Sequence, residues 1–227
     1  MKPADVAGLP IQWGASVRGA RLFHPDGVLA RGTVTRIAEA GVGLPIENGH
    51  VVTRVSKGVG VPGDLADVVG LAIRMDPHLG DNTPWDVLLA SAMGDGKISQ
   101  TIPFPVRSLH GANLSTLQPL DYDGDRWWLR ARLASGTRLG SGLSLAGFRD
   151  QIDGDAMVFV LEQAWRSTAY EPLAELELVS TVSEGDYLGI GFDPTTNTTR
   201  GVRPGPGWLS KIRTVAYRQS RRGRRAP

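Results

Sequence analysis

Arg213 and Tyr217 stand four apart in Lys211-Ile-Arg213-Thr-Val-Ala-Tyr217, a stretch that reads as the last turn of a helix. That spacing puts both side chains on one helical face. A phenol keeps its proton up to a pH of about 10, and an adjacent guanidinium stabilises the phenolate and lowers that value. An arginine-supported tyrosinate is a hard, anionic ligand suited to ferric iron. Arg224 follows Tyr217 by seven residues, two turns along the same face. The spacing R-x-x-x-Y also recurs on solvated amphipathic helices, so its meaning depends on what else the chain carries.

Two further clusters could do chemistry. His24 sits in Arg21-Leu-Phe23-His24-Pro-Asp-Gly27, just ahead of a strand. An imidazole there can act as general base and acid near neutral pH, although a surface loop histidine would look the same. Arg54 and Ser56, in Val51-Val-Thr-Arg54-Val-Ser56, share one face of a strand. Facing inward, the arginine needs an anion, and the serine can bond a histidine ring and fix which nitrogen faces a reaction. Facing outward, they are an ordinary solvated pair. The remaining features carry less. His50, His78 and His110 share no metal-ligand spacing. Gly58-Val-Gly60 and Gly189-Ile-Gly191 lack the rest of a phosphate loop, and Ser141-Gly-Leu-Ser144 is no nucleophile elbow.

The elements that must position these groups are mostly strands. Glycine (29) and proline (15) are abundant in the 227 residues, which favours short strands and turns over a helical bundle. Apolar alternation marks strands near 28–38, 50–57, 67–75 and 86–92, then 125–133, 156–164, 172–182 and 186–192. Eight strands in two groups of four suit a closed antiparallel barrel or a sandwich. Residues 104–120 are expected to form a short helix with a loop, residues 138–151 a second helix, and residues 193–207 an extended loop. A helix from about 211 to 222 then carries Tyr217. One domain spanning 1–227, with a basic end from 217, is the simplest organisation.

Composition closes off several function classes. Without cysteine there is no disulfide framework, thiolate metal site, iron–sulfur cluster or thiol nucleophile. Net charge is +2, with the excess in Arg218, Arg221, Arg222, Arg224 and Arg225. A nucleic-acid partner is therefore not expected, although that tail could contact one. No stretch reaches the ~18 apolar residues of a membrane span, and the first fourteen residues have no basic n-region. A cytoplasmic protein with no membrane partner is the expectation.

Taken in order, the clusters resemble the haem-catalase superfamily. Arg21-x-x-His24-x-x-Gly27 with Gly32 is similar to the segment that carries the family's distal histidine. Arg54-Val-Ser56 resembles its R-F-S strand, and Asp67-Val-Val-Gly70-Leu-Ala-Ile-Arg74 its D-P-R-G-F-A-x-K stretch. Trp85-Asp86-Val-Leu is similar to W-D-L-V, and Ile102-Pro-Phe104-Pro to the L-F-P segment. Phe192-Asp193-Pro194, Gly201, Pro204 and Arg213-Thr-Val-Ala-Tyr217 with Arg224 follow the family's closing run. The resemblance covers residues 18–225 and implies an α+β fold: an eight-stranded antiparallel barrel with short helices and a C-terminal helix bearing the proximal tyrosine. By size the chain is expected to be a minimal member.

The resemblance also implies roles. Tyr217 would ligate the iron of haem b (iron protoporphyrin IX), held as phenolate by Arg213. Arg21, Arg54 and Arg224 would meet the haem propionates, because buried carboxylates need charge-assisted partners. His24 would lie over the distal face, oriented by Ser56, with Phe104 beside it and Phe23 narrowing the approach. Where the family has an asparagine after its W-D pair, this chain has Ala90-Ser91-Ala92, leaving Ser91 as a shorter donor. The implied activity is that of a haem-dependent oxidoreductase using hydrogen peroxide or an organic hydroperoxide, by catalase-like or peroxidase chemistry and weaker as a catalase than the large enzymes. The alternatives are a haem enzyme that rearranges or dehydrates an organic substrate, as allene oxide synthases do, or a non-catalytic haem-binding protein. A homodimer is expected, since tryptophan-bearing strands leave apolar surface to cover.

Overall fold

The computed structural model describes residues 27–58, 60–78, 82–140, 142–166, 169–183 and 191–205. Its strands are β1 (Gly27–Arg36), β2 (Gly49–Lys57), β3 (Val69–Met75), β4 (Trp85–Ser91), β5 (Leu114–Ser115), β6 (Leu120–Tyr122), β7 (Asp125–Leu133), β8 (Met157–Trp165), β9 (Glu171–Val182) and β10 (Arg203–Pro204). One helix, α1 (Leu145–Asp155), lies between β7 and β8. Strands β1 to β4 form an antiparallel meander. From there β5 bridges β4 to β7, β7 pairs with β8, β8 with β9, and β9 returns to β1. The eight strands β1–β5 and β7–β9 thus close an antiparallel barrel, with β6 and β10 stacked on the outer end of β7.

The barrel forms because each long strand carries an apolar residue at every second position, and those positions fall on one face. Val28 and Ala30 meet Val55 and Thr53 across β1–β2; Leu71, Ile73 and Met75 meet Leu89, Val87 and Trp85 across β3–β4. Leu129 and Ala131 of β7, Phe159 and Leu161 of β8, and Ala174 and Leu176 of β9 complete the lining, almost all with no exposed surface. An eight-stranded barrel has an interior just wide enough for such side chains to fill.

Both ends are stoppered. At one, Leu44 and Ile46 of the β1–β2 connection are fully buried. Arg36 holds that connection by donating to the carbonyls of Ala38, Glu39, Val42, Leu44 and Ile46. Gln163, the last inward residue of β8, accepts from the Leu44 N–H at 2.8 Å. At the other end, Phe148 and Ile152 of α1 join the core together with Leu139 and Leu143. Ser144 caps α1 by accepting from the Gly147 N–H at 3.0 Å.

Seven of the expected strands stand within about three residues of their places at either end. Three expectations are corrected. Residues 104–120 form no helix; they contain β5, and Gly111 and Leu117 stand at φ +73° and +59°, which a right-handed helix does not admit. The second helix starts at Leu145 rather than near 138, because Gly136, Gly140 and Gly142 precede the Ser144 cap. The eighth barrel strand is β5; of the expected strand 186–192, residues 186–190 lie outside the described residues and 191–192 are not strand. No helix among the described residues is long and apolar enough to cross a membrane.

Candidate functional site

A barrel packed through its axis and stoppered at both ends leaves its outer wall as the place for a ligand. Cross-strand register arranges the outward residues of β1–β4 in three rows. Gly27, Ser56, Gly70 and Ala90 lie in line, with Ser115 of β5 beyond them. The next row is Leu29, Arg54, Ala72 and Leu88; the third is Arg31, Val52, Arg74 and Asp86. In the first row no side chain is larger than serine. At the usual strand spacing, its first four members make a low shelf roughly 14 Å across.

Arg54 and Ser56 both belong to this wall, so the structure brings these two expected site residues together. Gly27 lets Arg54 lie close: a β-carbon at that position would come within 2.7 Å of Arg54 Cζ. Ser56 is 4% exposed, and its hydroxyl makes only a long 3.4 Å contact to the Gly70 carbonyl. It keeps bonding capacity for another group on the shelf.

Phe104 lies on the shelf's rim. Its N–H donates to the Ser91 carbonyl at 2.8 Å, and Asp67 and Val106 exchange two backbone bonds of 3.0 and 2.9 Å. Residues 103–106 therefore run past the ends of β4 and β3, one to three residues beyond Ala90 and Gly70. Phe104 itself is 39% exposed.

Ser91 departs from expectation. It has the inward parity of Val87 and Leu89 and no exposed surface. Its Oγ donates to the Phe104 carbonyl at 2.6 Å and accepts from the Val69 N–H at 3.0 Å. That hydroxyl fastens the rim to the barrel and does not face the shelf. The strand's two-residue period is the reason: Ala90 faces outward, so its neighbour cannot.

Reading the sequence did not foresee how the charged members of three motifs meet at the opposite border of the wall. Asp86 has a fully buried carboxylate that receives Arg74 Nε at 2.7 Å and Nη2 at 2.6 Å. The same carboxylate accepts from the Asp193 N–H and from Asn197 Nδ2, each at 2.7 Å. Arg74 also donates to the Gly191 carbonyl at 3.0 Å, and its guanidinium lies 5.3 Å from the Phe192 ring centre. Asp193 in turn closes a turn by accepting from Thr195 and Thr196. The chain that leads toward residue 206 is thus fixed to β3 and β4 before β10 pairs with β6. The signal available in the sequence was an Arg and an Asp in neighbouring strands, followed by Phe-Asp-Pro.

Beyond Ser115 the row of small side chains ends, and the same line of register runs on to Arg130 of β7 and Glu162 of β8. Arg130 bonds Glu162 at 2.6 Å and Asp95 at 2.9 Å, and packs 3.9 Å from the centre of the Tyr170 ring. Burial pushes the Tyr170 phenol up to about 12, outweighing the opposing pull of Arg130. The phenol donates to Gln100 Oε1 at 2.7 Å. A shallow surface concavity nearby is lined by Lys97, Gln100, Arg126, Trp128 and Arg166, with Arg126 and Arg166 already paired to Asp121 and Asp125. Among the described residues no three His, Cys, Asp or Glu side chains converge as metal ligands.

Arg21, Phe23, His24, Arg213, Tyr217 and Arg224 lie outside the described residues.

No protein-family model matches the chain, and no curated protein sequence does. Comparison of structures does find relatives in shape. A fungal catalase crystal structure superimposes with a TM-score of 0.63 at 10% sequence identity, over 100% of this chain and 64% of that one. The chain therefore spans less than two thirds of that catalase. Identity this low speaks for fold alone, and in fold this chain is an antiparallel barrel of the catalase type.

Proposed function

We propose that the chain is a haem-dependent oxidoreductase that binds haem b against the β1–β4 wall and acts on hydrogen peroxide or an organic hydroperoxide. The observation that carries this reading is the row Gly27, Ser56, Gly70 and Ala90 beside Arg54, on the outside of a catalase-type barrel whose interior is full. A flat macrocycle needs such a shelf, since any larger side chain in that row would hold it off the backbone. Its carboxylates need cations at the border, and Arg54 is one.

Haem, when bound, supplies an iron that can take two oxidising equivalents from a peroxide. The chain's own residues do the rest. Tyr217 would hold the iron, with Arg213 keeping its phenol deprotonated. Arg54, with Arg21 and Arg224, would neutralise the propionates. His24 precedes Gly27 by three residues, a span of at most about 10 Å of extended chain. From there it would take a proton from the bound hydroperoxide and return it to the leaving oxygen. The lightly used Ser56 hydroxyl would fix the orientation of that ring. Phe104, on the rim, would form the apolar flank of the approach, and Phe23 would narrow it. Ser91 has no part, because both its bonds serve the barrel.

The test is an absorption spectrum of purified, haem-loaded protein before and after peroxide. A Soret band of a tyrosinate-ligated ferric haem that shifts and recovers with turnover is the expected result. A chain that takes up no haem, or a spectrum that peroxide leaves unchanged, would refute the proposal.

A further inference from the structure

Strand β7 turns Arg126, Trp128 and Arg130 outward, because Leu129 and Ala131 between them fill the core. On β8 the outward residue opposite Trp128 is only Ala164, and the Arg166 N–H beyond it donates to the Arg126 carbonyl at 2.9 Å. One small residue among larger ones leaves a depression. It opens into a concavity of about 680 Å³ that also takes in Lys97, Gln100 and the β6–β7 turn at Gly124. That volume suits a small-molecule ligand, and nothing in the proposed peroxide reaction uses it.

Two of the lining side chains are almost fully buried and still have a hydrogen to donate. Gln100 is 2% exposed, and its Oε1 accepts from the Tyr170 phenol at 2.7 Å. Its Nε2 is thereby turned away from Tyr170 and has no acceptor among the described residues. Trp128 is 8% exposed, and its indole N–H likewise has no acceptor among the described residues. Buried donors are nearly always bonded, so two without acceptors in one concavity point to an acceptor that comes from outside.

Charge narrows the ligand. Lys97 is exposed and has no acidic partner among the described residues. Arg126 meets Asp121 at 2.9 Å, and Arg166 meets Asp125 at 3.4 Å. Three cations and two carboxylates leave the lining with one positive charge. That surplus balances a single carboxylate, whereas a phosphate dianion would face Asp121 and Asp125 with a charge left over.

We propose that this concavity binds a small organic carboxylate, whose oxygens accept from Gln100 Nε2, Trp128 Nε1 and Lys97 Nζ. The site is independent of haem, and whether haem is taken up decides nothing about it.

The experiment uses the full chain without added haem. Benzoate is titrated in at constant ionic strength and followed by calorimetry and by the indole N–H resonance of Trp128, assigned with Trp128→Phe. Benzamide and inorganic phosphate are the comparison probes. Saturable binding of one benzoate per chain is expected, with a shift of the Trp128 resonance and no binding of benzamide. Lys97→Gln and Trp128→Phe should each weaken benzoate by about tenfold, as expected when a hydrogen bond to a charged group is lost. Gln100→Glu keeps an oxygen for the Tyr170 phenol but sets a carboxylate against the ligand, and should abolish binding. Arg132→Gln, an exposed change on the same strand outside the concavity, should leave affinity unchanged. Urea midpoints check that the variants fold; if Gln100→Glu does not, Lys97→Gln and Trp128→Phe decide the matter. Four outcomes overturn the proposal: no saturable benzoate binding; benzamide binding as well as benzoate; affinity indifferent to Lys97→Gln and Trp128→Phe, or lowered as much by Arg132→Gln; or phosphate binding more tightly than benzoate.

Discussion

Replacing Asp86 by asparagine is the sharpest test of how the wall is held together. The carboxylate is fully buried and accepts four hydrogen bonds, two from Arg74 and one each from the Asp193 N–H and Asn197 Nδ2. An asparagine amide has one acceptor oxygen. Whichever way it turns, its NH2 faces a donor: Arg74 Nε at one position, or Arg74 Nη2, the Asp193 N–H and Asn197 Nδ2 at the other. Breaking a buried pair from one partner costs about 3–5 kcal/mol, because the other charge stays behind; Arg74 is 21% exposed, so water can reach it and the low end applies. A loss of about 3 kcal/mol, at a urea dependence of roughly 2 kcal/mol per molar, moves the unfolding midpoint down by about 1.5 M. Hydrogen exchange should localise the damage, with the amides of Asp193 and Thr195–Asn197 opening faster while β7 and β8 keep their protection. A double-mutant cycle with Arg74→Leu should return a coupling energy above about 1 kcal/mol. A midpoint shift below about 0.5 M, with unchanged exchange at residues 193–197, would show that these four bonds do not anchor the segment.

Other outcomes follow from the same structure. Tyr217→Phe should abolish or badly weaken haem uptake, while His24→Ala should keep haem and lose peroxide reactivity by on the order of 10² or more; normal haem affinity in the first would mean another ligand. Gly43→Ala should destabilise by about 2–4 kcal/mol in chemical denaturation, since Gly43 has φ +78° and its β-carbon would collide with buried Gln163, which holds Leu44 in the barrel mouth. Tyr170 should make stability fall as pH rises from about 10 to about 12. In that window the unfolded phenol has lost its proton and the folded one retains it. Tyr170→Phe should remove that part of the slope from a series of denaturation curves.

The fold was legible where the chain repeats itself. Strands of seven to twelve residues show their alternation plainly, and Ala156–Gln163 or Val28–Ile37 could hardly be misread. The two residues of β5 cannot display a period; they become a strand only because β4 and β7 supply partners on both sides. Arg54 and Ser56 were legible as a pair on one face, but which face looks outward is decided by the barrel's core and not by the pair. Ser91 failed for the same reason in reverse, its parity being fixed by Val87 and Leu89. Arg36 left no trace in the sequence at all. Five carbonyl partners within ten residues satisfy its guanidinium, and backbone oxygens have no residue type to read. The meeting of Arg74, Asp86 and Asp193 needed a cross-strand register and a return of the chain from more than a hundred residues away.

The pairing of β9 with β1 has a consequence for how this chain is made. β1 has β2 on one side soon after it emerges, but its other edge waits for residues up to Val182, about 145 residues after Arg36. At ribosomal speeds of about 5–20 residues per second, that edge stays uncovered for roughly 7 to 30 s. During that interval it can recruit any passing strand, and the nascent chain's main protection is the charge of Arg31 and Arg36 along it. Replacing the exposed Arg31 by glutamine, which leaves the Arg36 bonds to the β1–β2 connection in place, should therefore lower the yield of soluble protein during synthesis more than it lowers the stability of the finished molecule.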